Sequence, residues 1–229
     1  MRGDMSSARP AKRHPLDWYV DPDFCSLQLI QAVLDFAQGP TEGLAIWDPC
    51  AGSGNTLAYF AEHGFTCFAS DVVDNFDWAK FDAPHVVRPV WFSADFLEQT
   101  SAPAPCDIVC NPPYSYRKGI AEAFVRHALT LATRRVCMLL PGKWLAPGVD
   151  KKRWSNRSRL LREEAPPEMV LHFSTRPSMP PGDCIELMGN RAFRGGVIDY
   201  CWIVWNVQEP TAPGETRTIW LPPLGGARA

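Results

Sequence analysis

Short apolar runs alternate with amphipathic segments along most of this 229-residue chain. Apolar side chains at helical spacing predict helices at residues 24–36, 55–63 and 120–132. Strands that alternate with helices favour an α/β fold, Rossmann-like, in which helices cover both faces of a seven-stranded, mostly parallel sheet. The seven runs that predict its buried strands are residues 44–47, 65–69, 86–92, 107–110, 136–140, 169–173 and 200–205. Pro89 lacks an N–H donor, so the third strand is expected at an edge.

Polar side chains close the first four predicted strands. Asp48, Asp71 and Asp95 follow the first three apolar runs, and Asn111 follows the fourth. Because the carboxyl ends of parallel strands meet at one edge of a sheet, these four side chains are expected to lie together. The sequence therefore predicts a ligand site at this edge.

Composition divides the chain into one domain and two flanking segments. Residues 1–17 are basic and hold no apolar stretch, which predicts a flexible N-terminal arm without a secretory signal. Residues 18–207 hold every predicted strand and helix and are expected to form a single domain, in which residues 175–199 are a long loop. Residues 208–229 are rich in proline and are expected to be an extended or loosely packed tail.

Charge and cysteine content exclude several classes of protein. No apolar run approaches the roughly 18 residues of a membrane span, so no membrane contact is predicted. The eight cysteines are scattered without zinc-site spacing, which favours thiols in a reduced, cytoplasmic protein and predicts no metal site. The net charge of −2 means that any contact with nucleic acid must come from local basic patches.

A glycine-containing turn joins the first strand to the second helix. Its sequence, Asp48-Pro49-Cys50-Ala51-Gly52-Ser53-Gly54, lacks the Lys-Ser/Thr ending of a phosphate-binding loop and the third glycine of the dinucleotide fingerprint. Asp71 can accept both hydroxyls of a ribose, or it can cap the following turn. Asp95 can accept the amine of an adenine while Phe96 packs on the ring, or it can be an N-cap.

The fourth strand ends in Asn111-Pro112-Pro113-Tyr114. The prolines cannot continue the strand ladder, so an amide, exposed carbonyls and an aromatic ring are held in fixed relation at the strand tip. Such a group can bind a planar ligand that carries an NH₂. The alternative is an ordinary turn, since Asn-Pro and Pro-Pro are common turn signals.

Together the two motifs resemble those of the class I S-adenosylmethionine-dependent amino-methyltransferases, especially the DNA adenine methyltransferases, over residues 18–205. Ser70-Asp71 and Ala94-Asp95-Phe96 fall where the two intermediate cofactor motifs of that family lie. Residues 18–22 resemble the segment that closes over the methionine end of the cofactor. Family members usually carry Thr or a similar small residue near Pro22, where this chain has Asp21.

The resemblance implies a role for each of these residues. S-adenosylmethionine would be held by Tyr19, Asp48, Pro49, Cys50, Ala51, Gly52, Gly54, Asp71, Val72, Asp95, Phe96 and Asn111. The Asn111 side-chain oxygen and the Pro112 carbonyl would accept hydrogen bonds from the target amine, in a loop that Pro113 stiffens. Tyr114 would stack on an extruded base, with Tyr116 and Trp144 as secondary candidates.

The implied substrate is adenine in double-stranded DNA. A basic stretch at residues 151–162, with basic residues on neighbouring loops, could follow the phosphates. These loop residues are Arg117, Lys118, Arg176, Arg191 and Arg194. The loop at residues 175–199 and the tail would read a short or loosely specified site. The alternatives are methylation of an RNA base, methylation of a protein glutamine amide, and a catalytically silent cofactor-binding subunit.

Overall fold

One mixed sheet runs through the computed structural model, which describes residues 14–146 and 156–223. Its strands within these ranges are β1 Ala45–Asp48, β2 Cys67–Asp71, β3 Val90–Ser93, β4 Cys106–Cys110, β5 Arg135–Pro141, β6 Met169–His172, β7 Tyr200–Asn206 and β8 Arg217–Trp220. They lie in the order β3-β2-β1-β4-β5-β7-β6-β8. The strands β1 to β5 are parallel to one another, and β7 is antiparallel to both β5 and β6. The predicted Rossmann-like, mostly parallel sheet is confirmed, and β3 lies at its edge as Pro89 predicts.

Helices cover both faces of the sheet. The helices in the described ranges are α1 Phe24–Ala32, α2 Leu34–Ala37, α3 Asn55–Glu62, α4 Ile120–Leu131, α5 Asn156–Arg159, which continues as a π-turn at Leu160–Glu164, and α6 Ile185–Met188. Strand residues alternate between two cores: Ile46 packs with α1 and α3, whereas Trp47 packs with α4. This alternation follows from the two-residue period of a β-strand.

The predicted helix at residues 24–36 is interrupted. Val33 has an extended backbone (φ −93°, ψ 113°), which separates α1 from α2. Val33 and Phe36 are both buried, so the break carries both side chains into the core. Periodicity alone could not locate this break, because the apolar positions on its two sides still follow a helical spacing.

The prediction of seven strands was one short. Residues 217–220, expected in the loosely packed tail, form β8, which pairs in parallel with β6. Leu221 is buried, and the Pro222 carbonyl accepts a hydrogen bond from Gln28 Nε2 (2.7 Å). The strand forms because β6 would otherwise present an unpaired edge. The sequence did not predict it, because the run is short and lies among prolines.

The ordered contacts begin before residue 18. Asp17, which was expected in the flexible arm, is buried, and its Oδ2 accepts the backbone N–H groups of Ser115 and Tyr116 (2.6 Å each). These bonds attach residues 14–22, here called the N-terminal strap, to the tip of β4. Within the described part of the chain, no helix is long and apolar enough to cross a membrane.

Charged side chains hold the opposite edge of the sheet. The Asp107 carboxylate at the start of β4 is fully buried and accepts hydrogen bonds from the Arg134 guanidinium (2.6 Å) and the Arg135 backbone N–H (2.8 Å). Burial raises the pKa of Asp107, and the two arginines act against that rise. The predicted ligand site lies at the other end of the strands.

Candidate functional site

A cavity of about 330 Å³ lies at the carboxyl ends of β1, β2 and β4. Its walls include residues 16–21 of the N-terminal strap, residues 49–53 of the glycine turn, residues 71–73 after β2, and Asn111 and Tyr116 after β4. The structure therefore brings most of the predicted site residues to one cavity. The predicted residues outside its lining are Asp48, Gly54, Pro112 and Tyr114.

Two positions in the turn, Gly52 and Gly54, require glycine. Gly52 has a φ of +49°, and a Cβ at this position would lie 2.7 Å from Trp18 Nε1. Gly54 has a φ of +84°, precedes α3, and would place a Cβ 2.9 Å from the ring of Phe76. Both positions favour glycine because of left-handed backbone and close packing. Gly52 lines the cavity, whereas Gly54 allows α3 to pack closely.

Asp48 and Cys50 support the turn from beneath. The Asp48 side chain is buried, and its Oδ1 accepts the backbone N–H of Cys50 (3.1 Å). Burial raises the pKa of Asp48 well above its ordinary value. The Cys50 thiol donates to the backbone carbonyl of Asn111 (3.3 Å), and burial raises its pKa, which keeps the proton on sulfur. This bond connects the glycine turn to the tip of β4.

Asp71 caps the turn after β2 and Asp95 is an N-cap, as the alternative prediction for each has it. Both residues also line the cavity. The two Asp71 oxygens accept the N–H groups of Gly52 (2.9 Å) and Val72 (2.7 Å), and burial raises its pKa. Asp95 accepts the N–H of Leu97 (2.9 Å). A carboxylate has about four acceptor positions, so both retain capacity for a ligand.

Val72 and Phe96 differ in their accessibility to a ligand. Val72 lines the cavity and is 53% exposed. Phe96 also lines it, but the residue is buried, with its ring 5.4 Å from Trp47 and 5.0 Å from Phe124 between centroids. The ring is therefore fixed by the core on the side away from the cavity.

The Asn111 amide is held in one orientation. Its Nδ2 donates to the Tyr19 carbonyl (3.0 Å) and to Asp21 Oδ1 (3.4 Å), and its Oδ1 accepts from the Tyr114 hydroxyl. Because the nitrogen faces two oxygens, the amide oxygen must point the other way. Asn111 itself lines the cavity.

Tyr114 lies behind Asn111, where its ring does not meet the cavity. The ring packs near Tyr19 (6.5 Å between centroids) and Tyr200 (5.7 Å), and burial raises the pKa of its hydroxyl well above the ordinary value. Tyr114 is nonetheless only partly buried, and its stacking on a base stays a prediction. The ring on the cavity wall at this point belongs to Tyr116, which is 46% exposed.

Trp144 is less accessible than Tyr114. The residue is buried in the core, with the Arg157 guanidinium 5.2 Å from its ring centroid. The first part of the predicted basic stretch at residues 151–162, namely residues 151–155, lies outside the described residues.

The N-terminal strap contributes more to the site than its sequence indicated. Trp18 lies against Gly52, and its ring also fills the space where Gly182 would carry a Cβ. The Val20 N–H donates to the Pro180 carbonyl (3.0 Å), and the Gly182 N–H donates to the Trp18 carbonyl (3.1 Å). The strap therefore lies between the glycine turn and residues 180–182. Pro180-Pro181-Gly182 was the available signal for this contact.

Asp21, where the sequence departs from the family pattern, is a residue of the site. It is 4% exposed and lines the cavity, and its Oδ1 also accepts from Thr56 Oγ1 (3.4 Å). Its Oδ2 is buried and has no hydrogen-bond partner among the described residues. Burial raises its pKa to about 6, against the hydrogen bonds that lower it.

No family model matches the chain, and no curated protein matches it in sequence. Among solved structures, a candidate RNA methyltransferase from Pyrococcus horikoshii is similar at 15% identity and a TM-score of 0.59, over 84% of this chain and 87% of that chain. Magnesium protoporphyrin IX methyltransferase from Synechocystis PCC 6803 with bound S-adenosylhomocysteine is similar at 14% identity and a TM-score of 0.54, over 80% and 82%. At these identities the similarity concerns the fold alone. The fold of this chain is that of the class I methyltransferases.

Proposed function

We propose that this protein transfers the methyl group of S-adenosylmethionine to the exocyclic amino group of adenine in DNA. One observation carries the proposal: Asn111, whose Nδ2 donates to Tyr19 and Asp21 and whose Oδ1 accepts from Tyr114, lines the same cavity as Gly52, Asp71 and Asp95. The side chain that would bind the amine is therefore contiguous with the edge that would bind the nucleoside.

The cavity suits the nucleoside of the cofactor. Asp71 lies where a carboxylate commonly accepts ribose hydroxyls, at the end of the strand that follows a glycine turn. Val72 offers an apolar surface beside it, and Asp95 can accept an adenine amine. Gly52 lets a ligand approach the backbone closely. The turn has no lysine that could bind a phosphate chain, and S-adenosylmethionine contains no phosphate.

The Asn111 amide suits an aromatic amine as the methyl acceptor. The lone pair of such a nitrogen is delocalised into the ring, which makes it a poor nucleophile. The amide oxygen and the Pro112 carbonyl would accept its two N–H groups and direct the lone pair at the methyl group. A carbonyl oxygen has two lone pairs, so Asn111 Oδ1 can accept this bond alongside the one from Tyr114.

Exposed side chains on two loops suit a nucleic acid. Arg117 and Lys118, on the loop after Asn111, are exposed. The loop at residues 175–199 exposes Arg191 and Arg194 together with large apolar side chains. Those apolar residues are Leu187 (87% exposed), Val197 (84%), Ile198 (42%) and Phe193 (40%). Cationic side chains contact phosphates, and apolar side chains can enter the stack when a base leaves the duplex.

Labelled-methyl transfer tests the proposal. S-adenosylmethionine with a labelled methyl group is offered in parallel with duplex DNA, RNA and whole-protein lysate, and the product is hydrolysed to identify the methylated base. We expect label on the adenine amine of DNA, complete loss in Asn111→Ala, and retention in the control Asn206→Ala. Asn206 caps the turn after β7, at the opposite edge of the sheet.

RNA is the second candidate substrate, because the similar structure from Pyrococcus horikoshii is named as a candidate RNA methyltransferase. Label confined to RNA would replace DNA by RNA in the proposal. Label confined to protein would indicate a glutamine amide. Cofactor binding without transfer to any of these would indicate a silent partner subunit.

A further inference from the structure

The Asp21 carboxylate is an unusual group to bury. It belongs to the N-terminal strap, it lines the cavity, and it has no ion pair among the described residues. Both contacts to Oδ1, from Asn111 Nδ2 and Thr56 Oγ1, are 3.4 Å long and come from neutral donors. Burying a carboxylate without a cationic partner is costly. The unpartnered Oδ2 therefore indicates a missing positive group.

The charges around the cavity point in the same direction. The carboxylates of Asp17, Asp21, Asp71 and Asp95 line it. Among the described lining residues, His14 is the one side chain that can carry a positive charge, and its Nδ1 already accepts the N–H of Trp18 (3.2 Å). A cavity lined by four carboxylates and few basic side chains favours a cationic ligand over a neutral or anionic one.

We propose that Asp21 binds the sulfonium cation of S-adenosylmethionine and thereby selects the charged cofactor over its neutral product. This inference rests on the proposed function. Asp21 contacts the Asn111 amide, beside which the transferred methyl group must lie, and the sulfonium sulfur carries that methyl group. In the transfer the amine lone pair forms the N–C bond, the C–S bonding pair stays on sulfur, and the amine loses a proton to solvent. S-adenosylhomocysteine then has a neutral thioether, and its attraction to Asp21 is gone.

Titration calorimetry at pH 8 tests this selectivity by measuring the Kd of both ligands for the wild type, Asp21→Asn and the control Asp23→Asn. Asp23 is exposed and does not line the cavity, so its substitution removes the same charge two residues away. We expect Asp21→Asn to weaken S-adenosylmethionine at least about tenfold while S-adenosylhomocysteine changes by less than about threefold, because a nearby full charge is lost for one ligand only. The control should change neither.

Other results overturn the inference in distinguishable ways. An equal loss of affinity for both ligands would mean that Asp21 only shapes the strap or contacts the amino-acid end, which the two ligands share. No loss for either would mean that the carboxylate meets no ligand. If the wild type binds neither ligand, the proposed use of S-adenosylmethionine fails as well. Asp21→Thr, which is neutral and smaller, must reproduce the selective loss if Asp21→Asn folds poorly.

Discussion

The burial of Asp21 should make the protein less stable than its neutral variant when no ligand is bound. The substitution Asp21→Asn keeps the size of the side chain and an oxygen that can accept from Asn111 and Thr56. It removes the charge whose desolvation raises the pKa of the Asp21 carboxyl to about 6. We therefore expect a site substitution that stabilises the empty protein and weakens its affinity for the cofactor.

The magnitude follows from the pKa. The ordinary value is 3.8 and the folded value is about 6, so the folded state holds the proton more tightly. Stability from this group consequently falls as the pH rises from 3.8 to about 6, and the full cost above pH 6 corresponds to about 3 kcal/mol. The amide NH₂ of an asparagine would stand where Oδ2 has no partner, at a cost of about 1 kcal/mol. A net gain of about 2 kcal/mol remains, which is about 4–8 °C in Tm for a chain of this size.

Urea unfolding at pH 8 and pH 5 measures this gain. The desolvation cost falls to about half at pH 5, so the advantage of the variant should shrink there. Asp48 and Asp71 also have pKa values raised by burial, and Asp48 receives part of that rise from Asp21. Asp48 and Asp71 titrate in both the wild type and the variant. Where the titration of Asp48 is coupled to the charge of Asp21, it also makes the advantage of the variant smaller at pH 5.

The exposed Asp23, whose charge also raises the pKa of Asp21, provides the control Asp23→Asn. A variant that is less stable than the wild type by a pH-independent amount would refute the reasoning, since the hydrogen bonds of the carboxylate would then outweigh its desolvation.

Three further substitutions separate the parts of the site from the parts of the fold. Gly182→Ala should displace the ring of Trp18 and weaken cofactor binding, with a loss of about 1–3 kcal/mol in stability from overpacking; unchanged calorimetric affinity would contradict the contact. Tyr114→Phe removes the hydroxyl that donates to the Asn111 amide, so we expect kcat to fall about tenfold while cofactor Kd is unchanged, and a lower cofactor affinity would argue against this role. Asp107→Ala removes the buried carboxylate that accepts from the Arg134 guanidinium, so we expect a loss of about 3 kcal/mol in urea unfolding with normal ligand affinity in the folded protein.

Local patterns were sufficient for the parallel half of the sheet. An apolar run followed by a polar residue predicted β1, β2 and β4 and the polar ends Asp48, Asp71 and Asn111. This worked because strands buried on both faces must be apolar throughout, and because parallel strands place their carboxyl ends at one edge. The break at Val33 and the strand β8 were missed, since each depends on a neighbouring element rather than on its own residues.

The amino-acid sequence by itself thus determined the Rossmann-like sheet, the edge at which the site lies, and the residue types that reach it. Only the tertiary structure decided which of these residues face the cavity. It put Tyr114 behind Asn111, placed Trp18 between Gly52 and Gly182, and left Asp21 Oδ2 buried without a partner. These outcomes come from contacts between residues far apart in the chain, such as Asn111 with Tyr19. Their geometry depends on how the N-terminal strap packs over the sheet, which no local pattern encodes.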